Sequence, residues 1–181
     1  VPISGEACCH HFTLTDAAIA GSEKFWAADG KAIFGYGDGG YARPTWPAYD
    51  TNFKMNPPLR SRADRDRCVE ALADGTIDCI ATDHAPHSHA RKDVGLDKAR
   101  FGVTGLETAF PVLYTKLVQT GKLSWDRLVD ALTAAPARIF GYPAPTLAPG
   151  QIADAVIVDV HREFRVTPEW FASKSANSCF L

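Results

Sequence analysis

The sequence predicts an α/β chain of parallel βα units that carries its chemistry at the C-terminal ends of its strands. Three observations predict it. Apolar, β-branched runs alternate with stretches of helical period. One such run, Thr76-Ile77-Asp78-Cys79-Ile80-Ala81-Thr82, delivers Asp83-His84 at its end, the placement expected at the rim of a (β/α)8 barrel. The 181 residues are 46% hydrophobic and 22% charged, the balance of an ordinary globular chain.

Residues 1–9 are partly apolar and β-branched and read as a strand running into His10-His11. Residues 22–49 lack a sustained period. Gly35, Gly37, Gly39, Gly40, Pro44 and Pro47 mark a long ordered loop or insertion, and Phe25, Trp26, Trp46 and Tyr49 predict that it packs on something. Asn56-Pro57-Pro58-Leu59-Arg60 is extended, because each proline disfavours helix in the residue before it. Ser61 with Asp64 opens a helix carrying Val69, Leu72 and Ala73 and closing near Asp74-Gly75.

Past the Asp83 strand, residues 89–98 are polar and lid-like. Leu106, Ala109, Phe110, Leu113 and Leu117 repeat at helical spacing, with Pro111 expected in the first turn of that helix. A helix over residues 124–132 and a short one over 137–140, stopped by Gly141, follow. The tail reads as β-rich, with a buried strand at 153–160 and another at 163–166. No internal repeat is visible.

The net charge of −2 gives no electrostatic reason for a nucleic-acid or anionic-membrane partner. No apolar run reaches the length of a membrane span, and no signal peptide opens at Val1. The five cysteines, Cys8, Cys9, Cys68, Cys79 and Cys179, form no C-x-x-C pair. Adjacent Cys8 and Cys9 are poorly placed to bridge each other. Free thiols and a cytoplasmic setting are expected, with Cys79 a small buried hydrophobe.

Asp83-His84-Ala85-Pro86-His87 is the most informative segment. A carboxylate at a strand end, with histidines one and four positions on, suits a metal, and Asp can also carry a proton. As bare chemistry this is matched evenly by a bland reading, in which Asp83 caps a turn and the histidines lie on the surface.

Three ordered segments change the balance. They are Asn52-Phe53-Lys54-Met55-Asn56-Pro57-Pro58-Leu59-Arg60, Asp83-His84-Ala85-Pro86-His87 and Phe101-Gly102-Val103-Thr104-Gly105-Leu106-Glu107-Thr108-Ala109. With Glu6 and His10-His11 before them, and Pro136-Ala137-Arg138-Ile139 and Gly150-Gln151-Ile152-Ala153-Asp154 after, they resemble the dihydroorotases of the amidohydrolase superfamily along nearly the whole chain except residues 22–49. The resemblance departs at Arg100, where Pro is common, and at Ala135, where Asn is common.

The resemblance implies a C-terminal fragment. Residues 1–142 would be the last strands and helices of a (β/α)8 metal-dependent hydrolase barrel, with the insertion at about 22–49. Residues 143–181 would be part of a small β-sandwich domain. It implies a zinc-dependent, reversible hydrolysis of dihydroorotate to N-carbamoyl-aspartate in de novo pyrimidine biosynthesis, on two zinc ions whose remaining ligands this chain lacks. Asp83 would be metal ligand and proton carrier, and Glu6 a less secure metal ligand. Asn56 and His87 would bind substrate, with the backbone at Phe101 and Gly102 touching the pyrimidine amide edge.

His10 and His11 resemble metal ligands by adjacency, but the family comparison favours a structural role for them. A homodimer or a carbamoyltransferase partner follows by the same analogy. Two other readings stand beside this one: a hydantoinase- or allantoinase-like cyclic amidohydrolase, and a non-catalytic dihydroorotase-like subunit. With Asp83 as almost its only metal ligand, the chain by itself is expected to be inactive and poorly stable.

Overall fold

A computed structural model describes residues 3–30 and 43–181. Val1, Pro2 and the expected loop glycines Gly35, Gly37, Gly39 and Gly40 lie outside the described residues. Two strands, β1 (Glu6–Cys8) and β2 (Cys79–Ala81), pair in parallel, with Glu6 opposite Cys79, Ala7 opposite Ile80 and Cys8 opposite Ala81. Past the end of β2, a parallel bridge between His84 and Val103 carries a third extended segment alongside. Parallel pairing demands long crossovers, and helices supply much of them.

Helix α1 (Cys9–Thr13) continues directly from β1, so the predicted strand ends at Cys8 and His10-His11 sit on a helical turn. A short helix α2 (Ser22–Phe25) runs into a wide turn at Trp26–Gly30. The aromatics of this region pack as expected: Phe25 is fully buried, and the Trp46 ring stacks 4.9 Å from Phe53. Tyr49 is the exception and stays exposed.

Helix α3 (Arg62–Asp74) starts and stops on the expected residues. Ser61 and Asp64 cap each other's backbone N–H, and Gly75 closes the helix at φ 86°. Its inner face is Val69, Ala71 and Leu72; Ala73 lies outside.

After β2 come α4 (His89–Lys92), α5 (Leu106–Leu113), α6 (Trp125–Leu132) and α7 (Ala134–Phe140). Pro111 falls in the second turn of α5, not the first. It brings no N–H to the carbonyl one turn back, and the helix widens into a π turn at Tyr114–Val118. Leu106 is exposed, so the buried stripe is Ala109, Leu113 and Leu117.

Phe12, Leu72, Ile80, Leu113, Leu117 and Leu128 form one core, which joins α1, α3, β2, α5 and α6. Arg127 fastens it from the side. Its guanidinium donates to the carbonyls of Leu72 (2.7 Å), Ile77 (2.7 Å) and Asp78 (3.0 Å) while pairing with Asp130 at 2.9 Å. It thereby satisfies the Leu72 carbonyl that the end of α3 leaves over and ties the helix to the segment entering β2. A second core, Leu14, Phe25, Phe53, Met55, Leu59, Val103 and Cys179, lies under the loops beyond the strand ends.

The tail corrects an expectation. Among the described residues, 153–160 and 163–166 form no strand, and Val156 and Ile157 are 88% and 100% exposed. An apolar run becomes a buried strand only with a ladder partner and a face to cover it, and neither is present here. The chain then returns: Asn177, Ser178 and Cys179 are buried. All five cysteines are free, and Cys79 is buried. Among the described residues no helix is long and apolar enough to cross a membrane.

Candidate functional site

Asp83 sits just past the C-terminal end of β2 with an exposed side chain and φ 46°. That left-handed conformation costs a non-glycine residue roughly 1–3 kcal/mol, and Asp and Asn tolerate it best. The chain turns sharply there and holds the carboxylate at the strand mouth. The neighbouring strand end brings Cys8 beside it. Burial first, and then the Asp83 charge, push the Cys8 thiol up to about 12. Glu6, exposed on β1, contributes to the same push.

The three segments singled out in the sequence converge. Gly102 N donates to the Lys54 carbonyl at 3.0 Å, and Ala85 N to the Val103 carbonyl at 2.9 Å. His87 Nε2 meets the Phe101 carbonyl at 2.8 Å. Gly102, at φ 105°, is required: a Cβ there would stand 2.6 Å from that of Ala85. Among the described residues, Phe101 is exposed at this junction, and Asn56 is exposed two residues beyond Lys54 without a contact to it. Lys54 Nζ lies 4.4 Å over the Phe101 ring. Lys54, Arg91, Lys98, Arg100, Asp97 and Phe101 line a shallow cavity of about 470 Å³, a wall with more basic than acidic side chains, although Lys54 Nζ is already bonded to the Leu96 carbonyl at 2.6 Å. The structure thus brings His87, Phe101 and Gly102 together and places Asp83 beside Cys8 at the strand ends, but it does not bring Glu6 there: Glu6 pairs with Cys79 at the start of β1, four residues of strand short of Asp83.

The lid-like segment is pinned from beneath. Lys92, buried on α4, donates to the carbonyls of Arg100 and Gly102, each at 3.0 Å. Burial lowers its pKa to about 8. Below about 8 the ammonium is charged in both the folded and unfolded chains. Between about 8 and 10.5 the folded amine has lost its proton while the unfolded one keeps it, so stability rises with pH. Relative to a Lys92→Met variant, the native protein should therefore gain unfolding free energy across that window in urea titrations. Parallel profiles for the two proteins would contradict the burial of a charge at this position.

Sequence reasoning missed the residues that hold the loops together. Asn177 Nδ2 donates to the carbonyls of Ala85 (3.1 Å) and Gly102 (3.3 Å), and its Oδ1 accepts from His87 N at 2.9 Å. His84 Nδ1 accepts from Gly105 N and Leu106 N, each at 3.2 Å. Its Nε2 meets Ser173 Oγ at 3.1 Å, and that hydroxyl donates to Glu107 at 2.6 Å. Burial works to raise Glu107, but the Ser173 hydrogen bonds hold it below its ordinary value. Because the serine sits between imidazole and carboxylate, this chain of bonds clasps the tail and does not activate a nucleophile. The only sequence signal was the polar run Ser173-Lys174-Ser175-Ala176-Asn177-Ser178.

His10 and His11 are placed on α1, their rings 4.3 Å apart. His10 is 1% exposed, and burial lowers its pKa to about 3, so the ring is neutral. His11 Nε2 meets the Pro57 carbonyl at 2.9 Å.

Comparison with known proteins follows the same lines. The model of the amidohydrolase family matches residues 49–179. The dihydroorotase of Bacillus caldolyticus is 55% identical over 134 residues, 74% of this chain and 31% of that protein. The dihydroorotase of Anaeromyxobacter dehalogenans (strain 2CP-C) is 46% identical over 178 residues, 98% of this chain and 35% of that protein. Among solved structures, the L-hydantoinase (dihydropyrimidinase) of Arthrobacter aurescens superposes with a TM-score of 0.68 at 29% identity, covering 92% of this chain and 32% of that one. The chain spans about a third of the length of the curated relatives it matches.

Proposed function

The chain belongs to the amidohydrolase family, and from that premise we propose that it is the C-terminal third of a dihydroorotase. In this reading residues 1–142 are the last part of a (β/α)8 barrel, and residues 143–181 are part of a small β-sandwich domain whose partner strands lie elsewhere in the polypeptide. The exposed apolar run at Val156 and Ile157 is what such a domain would cover.

At the strand mouth the exposed carboxylate of Asp83 fits a zinc cofactor and supplies one of the roughly three ligands a catalytic zinc needs; Glu6, at the start of β1, does not reach that mouth. Two zinc ions, when bound, would acidify the attacking water and polarise the ring carbonyl. Asp83 would hold one metal and carry a proton from the attacking water to the ring nitrogen as the C–N bond breaks. The reverse condensation uses the same carboxylate in the opposite sense. His87, fixed at Nε2 by the Phe101 carbonyl, takes the substrate carboxylate, with the basic wall of the neighbouring cavity adding attraction. Asn56 and the backbone at Phe101 and Gly102 hold the ring's amide edge. A homodimer or a carbamoyltransferase complex is the assembly this reading favours.

The observation that carries the reading is the convergence of the three segments on one junction, joined by the contacts from Gly102 N to Lys54 and from His87 to Phe101. The likeness to a hydantoinase structure favours a second reading, a hydantoinase-type amidohydrolase. Turnover of dihydroorotate, hydantoin and allantoin by the full-length protein separates them. Preference for dihydroorotate is expected; preference for hydantoin would replace the assignment. The 181 residues alone should show no turnover.

A further inference from the structure

We infer that Cys8, His10 and His11 form a thiolate–imidazole site for a zinc ion at the end of β1. One ligand atom from each of the three residues lies within 4.8 Å of the other two. With zinc bonds of roughly 2.3 Å to sulfur and 2.0–2.1 Å to nitrogen, tetrahedral geometry sets such atoms roughly 3.4–3.7 Å apart. A contraction of about an ångström, within the reach of side-chain torsions, closes the site.

A second observation points to a ligand. Among the described residues, both ring nitrogens of His10 are buried without a hydrogen-bond partner, in a residue 1% exposed. Leaving a buried polar group unsatisfied costs roughly 1–3 kcal/mol, and a zinc–nitrogen bond removes that cost for one nitrogen. His11 is prepared differently. Its Nε2 is engaged by the Pro57 carbonyl, the outer contact that fixes the tautomer of a ligating histidine and leaves the other ring nitrogen with its lone pair. One sulfur and two imidazoles suit borderline-soft zinc over a hard cation. Three protein ligands leave a fourth position for water. On binding, the Cys8 S–H bond breaks, its proton passes to solvent, and the S–Zn bond forms. This inference does not depend on the substrate assigned above.

The test is cobalt substitution in the full-length protein. Sites built of carboxylate and histidine give no sulfur-to-cobalt charge transfer, so a near-ultraviolet thiolate band reports this cluster whatever other metals are bound. We expect the band, and about one metal equivalent beyond that of the Cys8→Ser variant, which should lose the band entirely. Cys79→Ser should keep it. His10→Ala should weaken cobalt binding at this position by at least about tenfold. If that variant fails to fold by circular dichroism, Cys8→Ser, the smaller change, still decides. No thiolate band in the native protein, or a band that survives Cys8→Ser, overturns the inference and leaves a buried water as His10's partner. Turnover with the band absent would sink this site and leave the proposed reaction standing.

Discussion

Asp83→Asn in the full-length protein should lower dihydroorotate turnover roughly 10³-fold, the effect expected when a proton-carrying group is removed, while unfolding free energy stays within about 0.5 kcal/mol of native. The two halves of that result have separate causes. The carboxylate lies exposed at the mouth of β2, so little packing depends on it. Its backbone sits at φ 46°, which Asn adopts as readily as Asp. The amide keeps the shape and loses the ability to accept and pass on a proton. Asp83→Gly makes the complementary case: it should be equally inactive yet slightly more stable, because glycine relieves the left-handed strain. Steady-state assays and urea titrations of both variants check this. An Asp83→Asn enzyme within tenfold of native would remove Asp83 from the chemistry.

Asn177→Ala should cost roughly 2–4 kcal/mol of stability. The residue is buried and makes three side-chain hydrogen bonds across the loops at 85–87 and 102. Truncation leaves His87 N–H and the Ala85 carbonyl without those partners. The Gly102 carbonyl retains Lys92. Because His87 is held through its own backbone, the same change should raise KM for dihydroorotate more than it lowers kcat. Denaturant midpoints and full kinetics measure the two effects. A variant that unfolds at the native midpoint would mean that the tail contributes nothing to the loops it touches.

The contrast between these residues shows what could be read from the chain. Ser61, Asp64 and Gly75 bounded α3 correctly because caps act within a turn of themselves. The strand before Asp83 was legible because its apolar run is short and abruptly ended. The run at 153–160 is equally apolar and β-branched in character, yet it lies open. Strand formation there needs a partner ladder, which composition cannot supply. Pro111 was expected in a first turn because proline fits there best, and the packing of Leu113 and Leu117 overrode that local preference. Lys92 looked like surface charge on a polar lid, but the loop at 100–102 passes over it and its ammonium is spent on two carbonyls.

The order of segments was legible in the sequence alone, since caps, prolines and hydrophobic period act over a few residues, whereas the roles proposed for Asp83, Asn56 and His87 came from the resemblance of their segments to a known family. Tertiary structure alone decided that Asn177 and Ser173 return from some ninety residues away to clasp the strand-end loops, that His10 is sealed without a hydrogen-bond partner, and that Cys8 stands beside both histidines. Those outcomes depend on which distant surfaces bury one another. Burial sets the fate of a polar group through desolvation, and no window of neighbouring residues contains that information.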